Sequence, residues 1–204
     1  NKMWKHDQAK AALEKALGFD ECMDMIAQKA QTLPEDGWVV GQGFNETDWP
    51  DARMPLRQDL DRICPDKPVL IYRCDLHLAV ANSRAFELSG LEDWAPDPVD
   101  GQLGRDDDGV PNGILREGAI NLVKKHIPLP DLNSLTSSMG RAQRELHKLG
   151  ITAIHDVRLA GAEREAALTL QAWQQLRAER EIRLRTWASL PGESRQMAQD
   201  LGLR

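Results

Sequence analysis

Residues 133 to 204 alternate between helical and strand-forming segments, and this alternation limits the folds open to the chain. A first helix is predicted from apolar residues at steps of four and three, namely Leu135, Met139, Ala142, Leu146 and Leu149. Gly150 ends this helix, and a strand over 151–154 begins at once. Further segments follow in the order helix, strand, helix, over about 163–180, 182–187 and 193–201. Such short links require parallel strands with covering helices, so we predict an α/β fold.

A second informative stretch runs from Pro68 to Gly90. Residues 69–72 are apolar and β-prone, which predicts a buried strand, and the spacing of Leu78, Ala81, Ala85 and Leu88 predicts a helix after it. Between the two lie Arg73, Asp75 and His77. Open α/β sheets and barrels present site residues at such strand ends. An arginine and an aspartate there can equally neutralise each other, and both readings stay open.

Two polar residues of the same stretch are further candidates. Asn82 and Ser83 can bind a polar substrate group or make ordinary local hydrogen bonds. Later in the chain, His155 and Asp156 end the strand predicted over 151–154. They either face a site or pack against the following helix.

Residues 102–105 and 110–115 flank an Asp108-Gly109 turn, which predicts a β-hairpin. The three aspartates of this turn do not have the ligand spacing of a calcium loop. A helix is predicted next, over 114–126, with Glu117 near its start, where the helix dipole stabilises a carboxylate.

The first 65 residues are predicted to hold helices over 8–32 with a break at Gly18, a strand over 37–41 and a short helix over 56–63. The glycines after the strand lack the third glycine of a dinucleotide fingerprint. Trp49 lies in a polar loop, where it can wall an apolar ligand pocket or cap an exposed edge. Three other tryptophans, Trp38, Trp173 and Trp187, are predicted core residues.

Composition excludes some classes of protein. A net charge of -6 argues against a nucleic-acid partner, and no apolar run reaches membrane-spanning length. The 3 cysteines show no metal or redox spacing, which favours free thiols in the cytoplasm. None of the 5 histidines forms an HxH or HExxH pair.

Four segments, read in order, resemble the amidohydrolase family 3 branch of the metal-dependent hydrolases. They are GWVVGQGFNETDW, MPLRQDLDRICPDKPVLIYRCDLHLAVANSRAF, GQLGRDDDGVPNGILREGA and LGITAIHD. The resemblance implies a partial (β/α)8 barrel with an inserted α/β segment over the barrel mouth. It implies hydrolysis of a small-molecule amide or cyclic amide by water that a divalent metal activates, with zinc as the expected metal.

The motif positions that the resemblance carries over are Arg73, Asp75, His77, Asn82, Ser83, Glu117 and Asp156. Arg73, His77 and Asp156 are taken as catalytic candidates. The remaining motif positions are taken as substrate-binding candidates, together with His155 and Trp49. The family's HxH ligand pair is absent, and Leu76 replaces a usual glycine.

These departures predict an internal segment of a larger hydrolase, with residues 1–132 as helical lead-in and insertion and residues 133–204 as βα units of the barrel. We expect the isolated chain to hold no catalytic metal, to be inactive and to form a homodimer through its open sheet edges. The alternative is a non-catalytic α/β binding module with a small-ligand cleft near His77 and Trp49.

Overall fold

A computed structural model of the protein describes residues 10–156 and 163–189. The chain divides into two compact units, separated in sequence between Pro128 and Leu129. The helix predicted over 193–201 lies outside the described residues. None of the helices that the structure describes combines the length and the apolar character needed to cross a bilayer.

The first unit is built on a six-stranded mixed sheet. Its strands are β1 (Lys10–Ala12), β2 (Val39–Phe44), β3 (Val69–Arg73), β4 (Leu78–Ala81), β5 (Gly101–Arg105) and β6 (Pro111–Glu117). Their spatial order is β1-β2-β3-β4-β6-β5. The expected parallel pairing is found for β1–β2 and β2–β3, whereas β3–β4, β4–β6 and β5–β6 are antiparallel. The β-hairpin predicted around Asp108-Gly109 is confirmed as β5–β6.

Helices cover both faces of this sheet. They are α1 (Phe19–Gln31), α2 (Arg57–Ile63), α3 (Ser83–Leu88) and α4 (Ile120–Lys124). Ile71 of β3 belongs to the apolar cluster that contains α1 and α2, and its neighbour Leu70 belongs to the cluster that contains α3 and α4. Successive strand residues point to opposite faces, so a strand buried on both sides is apolar throughout. The predicted strand over 69–72 is therefore the centre of the core.

The predicted helix at the start of residues 8–32 is wrong. Lys10–Ala12 forms β1, which pairs in parallel with β2, and α1 begins only at Phe19, directly after Gly18. Alanine and leucine at helical spacing favour a helix locally, but the partner strand supplies backbone hydrogen bonds that the sequence pattern does not reveal.

The helix predicted from Leu78 onwards is wrong in its first turn. Leu78–Ala81 forms β4, antiparallel to β3, and the helix α3 starts at Ser83. The spacing of the four apolar residues fits a helix, yet the first two belong to a strand. Residues 74–77 are thus the turn of a tight hairpin, which we call the site hairpin together with β3 and β4.

The helix predicted over 114–126 is also wrong at its start. Residues 114–117 complete β6, and α4 begins at Ile120. Glu117 is the last residue of a strand, so its carboxylate does not lie in the first turn of a helix as predicted.

The second unit pairs two strands in parallel, β7 (Ala153–Asp156) and β8 (Arg185–Ala188), with helices α5 (Leu132–Lys148) and α6 (Glu163–Ala178). These four predicted elements are present, although the two strands begin at 153 and 185 and not at the predicted 151 and 182. Gly150 has the positive φ expected after a helix. The apolar face predicted for α5 is wrong in part. Leu149 is 76% exposed, whereas Gln143 is buried. The side-chain amide of Gln143 donates to Glu181 O and accepts from Arg183 N, which satisfies its polar atoms.

Two of the three tryptophans predicted as core residues are buried, Trp38 and Trp173. Trp187 is 59% exposed in β8, which contradicts the prediction. An apolar side chain at a strand end is read as core by pattern alone, but here β8 pairs only with β7 among the strands that the structure describes.

The base of the site hairpin is fixed by the fully buried Asn82. Its Nδ2 donates to Cys64 O and Lys67 O, both at 2.9 Å. Its Oδ1 accepts from Val69 N and Ala85 N, also at 2.9 Å. One amide thus joins the end of α2, the start of β3 and the first turn of α3.

We expect Asn82→Ala to lower the free energy of unfolding by about 3 kcal/mol, because it removes a helix cap and leaves buried backbone groups without partners. Urea denaturation measures this change. Asn121→Ala, at an exposed position of α4, is the control and should change stability by less than about 0.5 kcal/mol. Equal effects of the two substitutions would contradict the role assigned to Asn82.

Candidate functional site

Four of the predicted site residues meet at the tip of the site hairpin: Arg73, Asp75, His77 and Glu117. Arg73 ends β3, Asp75 and His77 lie in the turn, and Glu117 ends β6. The backbone N–H of Glu117 donates to His77 O at 3.0 Å, which fixes the end of β6 against the turn. Antiparallel pairing of β3, β4 and β6 therefore gathers residues that are 44 positions apart, as residue numbers 73 and 117 show.

The guanidinium of Arg73 is held by three partners. Its Nε donates to Glu46 Oε2 at 2.9 Å, its Nη1 to Asp75 Oδ2 at 2.5 Å and its Nη2 to Asn45 Oδ1 at 3.3 Å. The hydrogen bonds to Glu46 and Asp75 raise the pKa of Arg73 still further. Arg73 is thus permanently charged, and it forms ion pairs with two carboxylates, those of Glu46 and Asp75.

Asp75 connects the Arg73 side chain to the backbone of the turn. Burial would raise the pKa of its carboxyl, but the backbone N–H of His77 and the side chain of Arg73 outweigh that effect and lower it. Its Oδ1 accepts the His77 N–H at 3.0 Å while its Oδ2 binds Arg73. An ionised Asp75 therefore sets the backbone from which the His77 side chain projects.

His77 and Glu117 form an imidazole–carboxylate pair. The distance from His77 Nδ1 to Glu117 Oε2 is 2.9 Å, and the two side chains are 70% and 61% exposed. The hydrogen bond to Glu117 raises the pKa of His77, since the carboxylate favours the charged imidazolium. Nδ1 is committed to Glu117, so Nε2 is the nitrogen left to meet a ligand.

The residue before His77 and Glu117 itself have left-handed backbone. Leu76 has φ 65° and Glu117 has φ 51°, a region that side-chain-bearing residues rarely adopt. This explains why a glycine suits the position of Leu76 in the resembling family. Strained residues cluster where surrounding contacts hold a functional geometry in place.

The structure gives three other predicted residues internal partners. Asn82 is the buried tie described above. Ser83 donates through Oγ to Asp61 and accepts from Arg57 Nε. Trp49 is only 4% exposed and donates to Ala16 O, so it lies in the core and does not wall a cleft beside His77.

His155 and Asp156 belong to the second unit and end β7, as predicted. His155 is exposed, with Nε2 2.8 Å from Ser189 Oγ. Asp156 is buried and accepts from Trp173 Nε1 at 3.0 Å. The structure thus places these two residues in a different unit from the other candidates.

Sequence reasoning missed Glu46 and Asn45, the partners of Arg73. Both follow β2 directly, and β2 is the parallel neighbour of β3. Parallel strands bring their carboxyl ends to one edge, so the polar run after Phe44 was the available signal. Glu46 is buried, which a charged residue tolerates only because Arg73 pairs with it.

A metal is part of what the resemblance implies, so its fit to these residues matters. Among residues 10–156 and 163–189, no three His, Cys, Asp or Glu side chains form a group that could hold an ion. The His77–Glu117 pair offers two donors and lacks the third that a zinc site needs. The described residues therefore do not fit a metal centre.

Sequence comparison connects the chain with known proteins. The profile described as "Amidohydrolase family" matches residues 6–204. The putative amidohydrolase YtcJ of Bacillus subtilis is 29% identical over 136 residues, which cover 67% of this chain and 26% of that protein. The N-substituted formamide deformylase of Arthrobacter pascens is 34% identical over 105 residues, 52% of this chain and 19% of that protein. The matched part of the chain thus spans only 26% and 19% of the length of these two relatives.

Comparison with solved structures also finds metal-dependent hydrolases. An uncharacterized metal-dependent hydrolase from Pyrococcus horikoshii OT3 superposes with a TM-score of 0.62 at 22% identity, over 97% of this chain and 36% of that one. A similar protein from Pyrococcus furiosus gives 0.59. These likenesses show a shared mixed α/β fold. Because the family profile covers nearly the whole sequence, the chain belongs to the amidohydrolase family.

Proposed function

We propose that this chain is a segment of a metal-dependent amidohydrolase that hydrolyses the C–N bond of a small amide or cyclic amide. The observation that carries the proposal is the His77–Glu117 pair, held at the tip of the site hairpin by Arg73 and Asp75. Family membership over residues 6–204 supports the reaction class, and a relative named for deformylation of N-substituted formamides supports the bond type.

Within this reaction His77 is assigned the role of donating a proton to the leaving nitrogen. Hydrolysis of an amide adds water to the carbonyl carbon and expels an amine, which must gain a proton as the C–N bond breaks. Glu117 holds Nδ1 and favours imidazolium, so Nε2–H is available as the donor. Arg73 and Asp75 act as positioning residues, because they fix the turn that carries His77.

In this family a divalent metal activates the attacking water, and we expect that metal to be zinc. The described residues do not fit such a centre, so the proposal gives them binding, orientation and proton transfer only. We propose accordingly that the isolated chain is inactive. We propose also that the β7–α6–β8 run belongs to a partial (β/α)8 barrel, since a parallel strand pair joined by a helix is the repeating unit of that fold.

Turnover tests the proposal. In a longer natural form of the protein that carries the metal, His77→Gln should lower kcat/KM by about 10²-fold or more on a panel of N-substituted formamides, acyl amides and cyclic amides. His147→Gln, an exposed histidine of α5, is the control and should leave kcat/KM unchanged. Full activity of His77→Gln would refute the role of His77.

The chain of 204 residues, purified alone, gives an independent result. We expect no turnover of the panel and less than stoichiometric zinc by elemental analysis. One zinc per chain together with turnover would show that the segment is self-sufficient.

The raised pKa of His77 makes a prediction about pH. Glu117→Gln should lower the pKa of His77 towards the ordinary value of about 6.5, because the carboxylate that favours imidazolium is gone. In the wild type, the stability contributed by the pair is complete below the unfolded-state pKa and is lost as pH rises through the raised folded-state pKa. NMR titration of the imidazole measures the shift, with Glu87→Gln as the control. An unchanged pKa in Glu117→Gln would contradict the pairing.

We propose further that the chain forms a homodimer. Among the described residues, β1 and β5 are the two edges of the six-stranded sheet, and open edges invite pairing with a second copy. Sedimentation of the chain at micromolar concentration should show a dimer, and a single monomeric species would refute this.

A cytoplasmic location is proposed from the thiols. All three cysteines are free, and burial raises the pKa of Cys22 to about 12, so this thiol stays protonated and unreactive. Recovery of the natural protein mainly from an extracellular fraction would count against this location.

A further inference from the structure

A polar cavity of about 270 Å³ lies against the β5–β6 hairpin, apart from the His77–Glu117 pair. We call it the hairpin cavity. The residues that matter for its chemistry are Asp97, Gln102, Arg105, Asn112 and Arg116.

The two arginines of the hairpin cavity differ in their partners. Arg105 donates to Gly109 O at 3.0 Å and to Ala95 O at 2.6 Å, and its Nη2 lies 3.4 Å from Asp97 Oδ1. These bonds tie the hairpin turn to the preceding loop. Arg105 is thereby a structural residue, and its charge is offset by Asp97.

Arg116 has no such partner. Its side chain is half-buried, and it makes no hydrogen bond or ion pair with any residue that the structure describes. A guanidinium carries five N–H donors, and groups withdrawn from water normally find acceptors. The guanidinium of Arg116 still reaches solvent, so its donors at the wall of the cavity are open to an anionic ligand.

The surroundings of Arg116 are preformed. In β6 it pairs with Gln102 of β5, whose amide supplies a further donor beside the guanidinium. The Asn112 amide is held in place within the hairpin, because it donates to Arg105 O and accepts from Ile114 N. A side chain at Gly104 would meet Asn112 Oδ1 and Ile114 Cβ at 2.7 Å, so this position stays without one. The cavity therefore has a rigid wall and one unengaged cation.

Charge selects the class of ligand. Arg105 and Arg116 contribute two positive charges and Asp97 one negative charge, so the lining carries one net positive charge. This balances a monoanion, whereas a dianion would bring a second charge that no cation of the lining compensates, and withdrawing that charge from water costs free energy. The planar guanidinium also matches the two oxygens of a carboxylate in a bidentate arrangement.

We propose that the hairpin cavity binds a small monocarboxylate, with Arg116 as its bidentate donor and Gln102 as a second donor. This site is independent of the proposed hydrolytic function. Ile114 and Leu115 lie in opposite core clusters, so the side chains of β6 alternate between faces, and Arg116 is directed to the face of Ile114.

The test is an NMR titration of the 204-residue chain with sodium acetate at pH 7.5, at constant ionic strength kept with sodium chloride. The Arg116 Nε–H signal, assigned by its loss in Arg116→Gln, should shift and saturate with a Kd of about 1–10 mM. Inorganic phosphate should bind at least about threefold more weakly, because it is mostly dianionic at this pH.

Three variants sharpen the result. The backbone amide signals of the β5–β6 hairpin should shift with acetate concentration in the wild type and should not shift in Arg116→Gln. Arg116→Lys should bind at least about threefold more weakly, because it keeps the charge and loses the fork. Arg62→Gln, which removes an exposed arginine of α2, should bind as the wild type does.

Several outcomes overturn the proposal. They are shifts that stay linear up to about 100 mM acetate, far above the Kd expected for a real site, saturable binding that survives in Arg116→Gln, and tighter binding of phosphate than of acetate. The side chain of Arg116 makes no hydrogen bond or ion pair with the described residues, and a dispersed spectrum of Arg116→Gln verifies that the variant is folded.

Discussion

The buried amide of Asn82 is the interaction on which the first unit depends. Its four hydrogen bonds close the base of the site hairpin and orient three elements at once. A backbone loop buried between a helix and a strand would otherwise leave carbonyls and amides without partners, at a cost of several kcal/mol. The base therefore sets where the tip of the hairpin leaves the sheet, and the tip carries Arg73, Asp75 and His77.

The tip is organised by a second set of polar contacts that runs from the core outwards. Buried Glu46 holds Arg73, Arg73 holds Asp75, and Asp75 holds the backbone of His77. Burial falls along this series, from the Glu46 side chain at 11% exposure to the His77 side chain at 70%. Glu46 lies in the core, and the imidazole of His77 lies in solvent. This is how a site positions one accessible group without burying it.

The sequence predicted the elements whose physics is local. The run 69–72 is apolar on both faces, Asp108-Gly109 is a turn signal, and Gly150 ends a helix, so these were recognised correctly. The errors came where tertiary partners decide. Leu78–Ala81 has helical spacing and becomes a strand because β3 and β6 flank it. Glu117 was placed in a helix for the same reason, since the pairing of β6 with β4 is invisible in the pattern.

The candidate site was predicted to a similar extent. Motif resemblance named Arg73, Asp75, His77 and Glu117, and the structure shows that they are neighbours. Asn82 and Ser83 came from the same motifs, yet their contacts are internal. Spacing alone does not separate a residue that holds the backbone from one that meets solvent. Glu46 escaped notice because a glutamate in a polar loop looks solvated until the fold pairs it.

The positive φ angles of Leu76 and Glu117 bear on how the hairpin tip moves. Each left-handed residue costs roughly 1–2 kcal/mol, and this free energy is recovered whenever the tip opens. Local opening at the tip is therefore easier than at the Asn82 base, so amide protons there should exchange with solvent through small fluctuations rather than through global unfolding. The imidazole of His77 is therefore carried by a turn that can open locally while the strands beneath it stay paired.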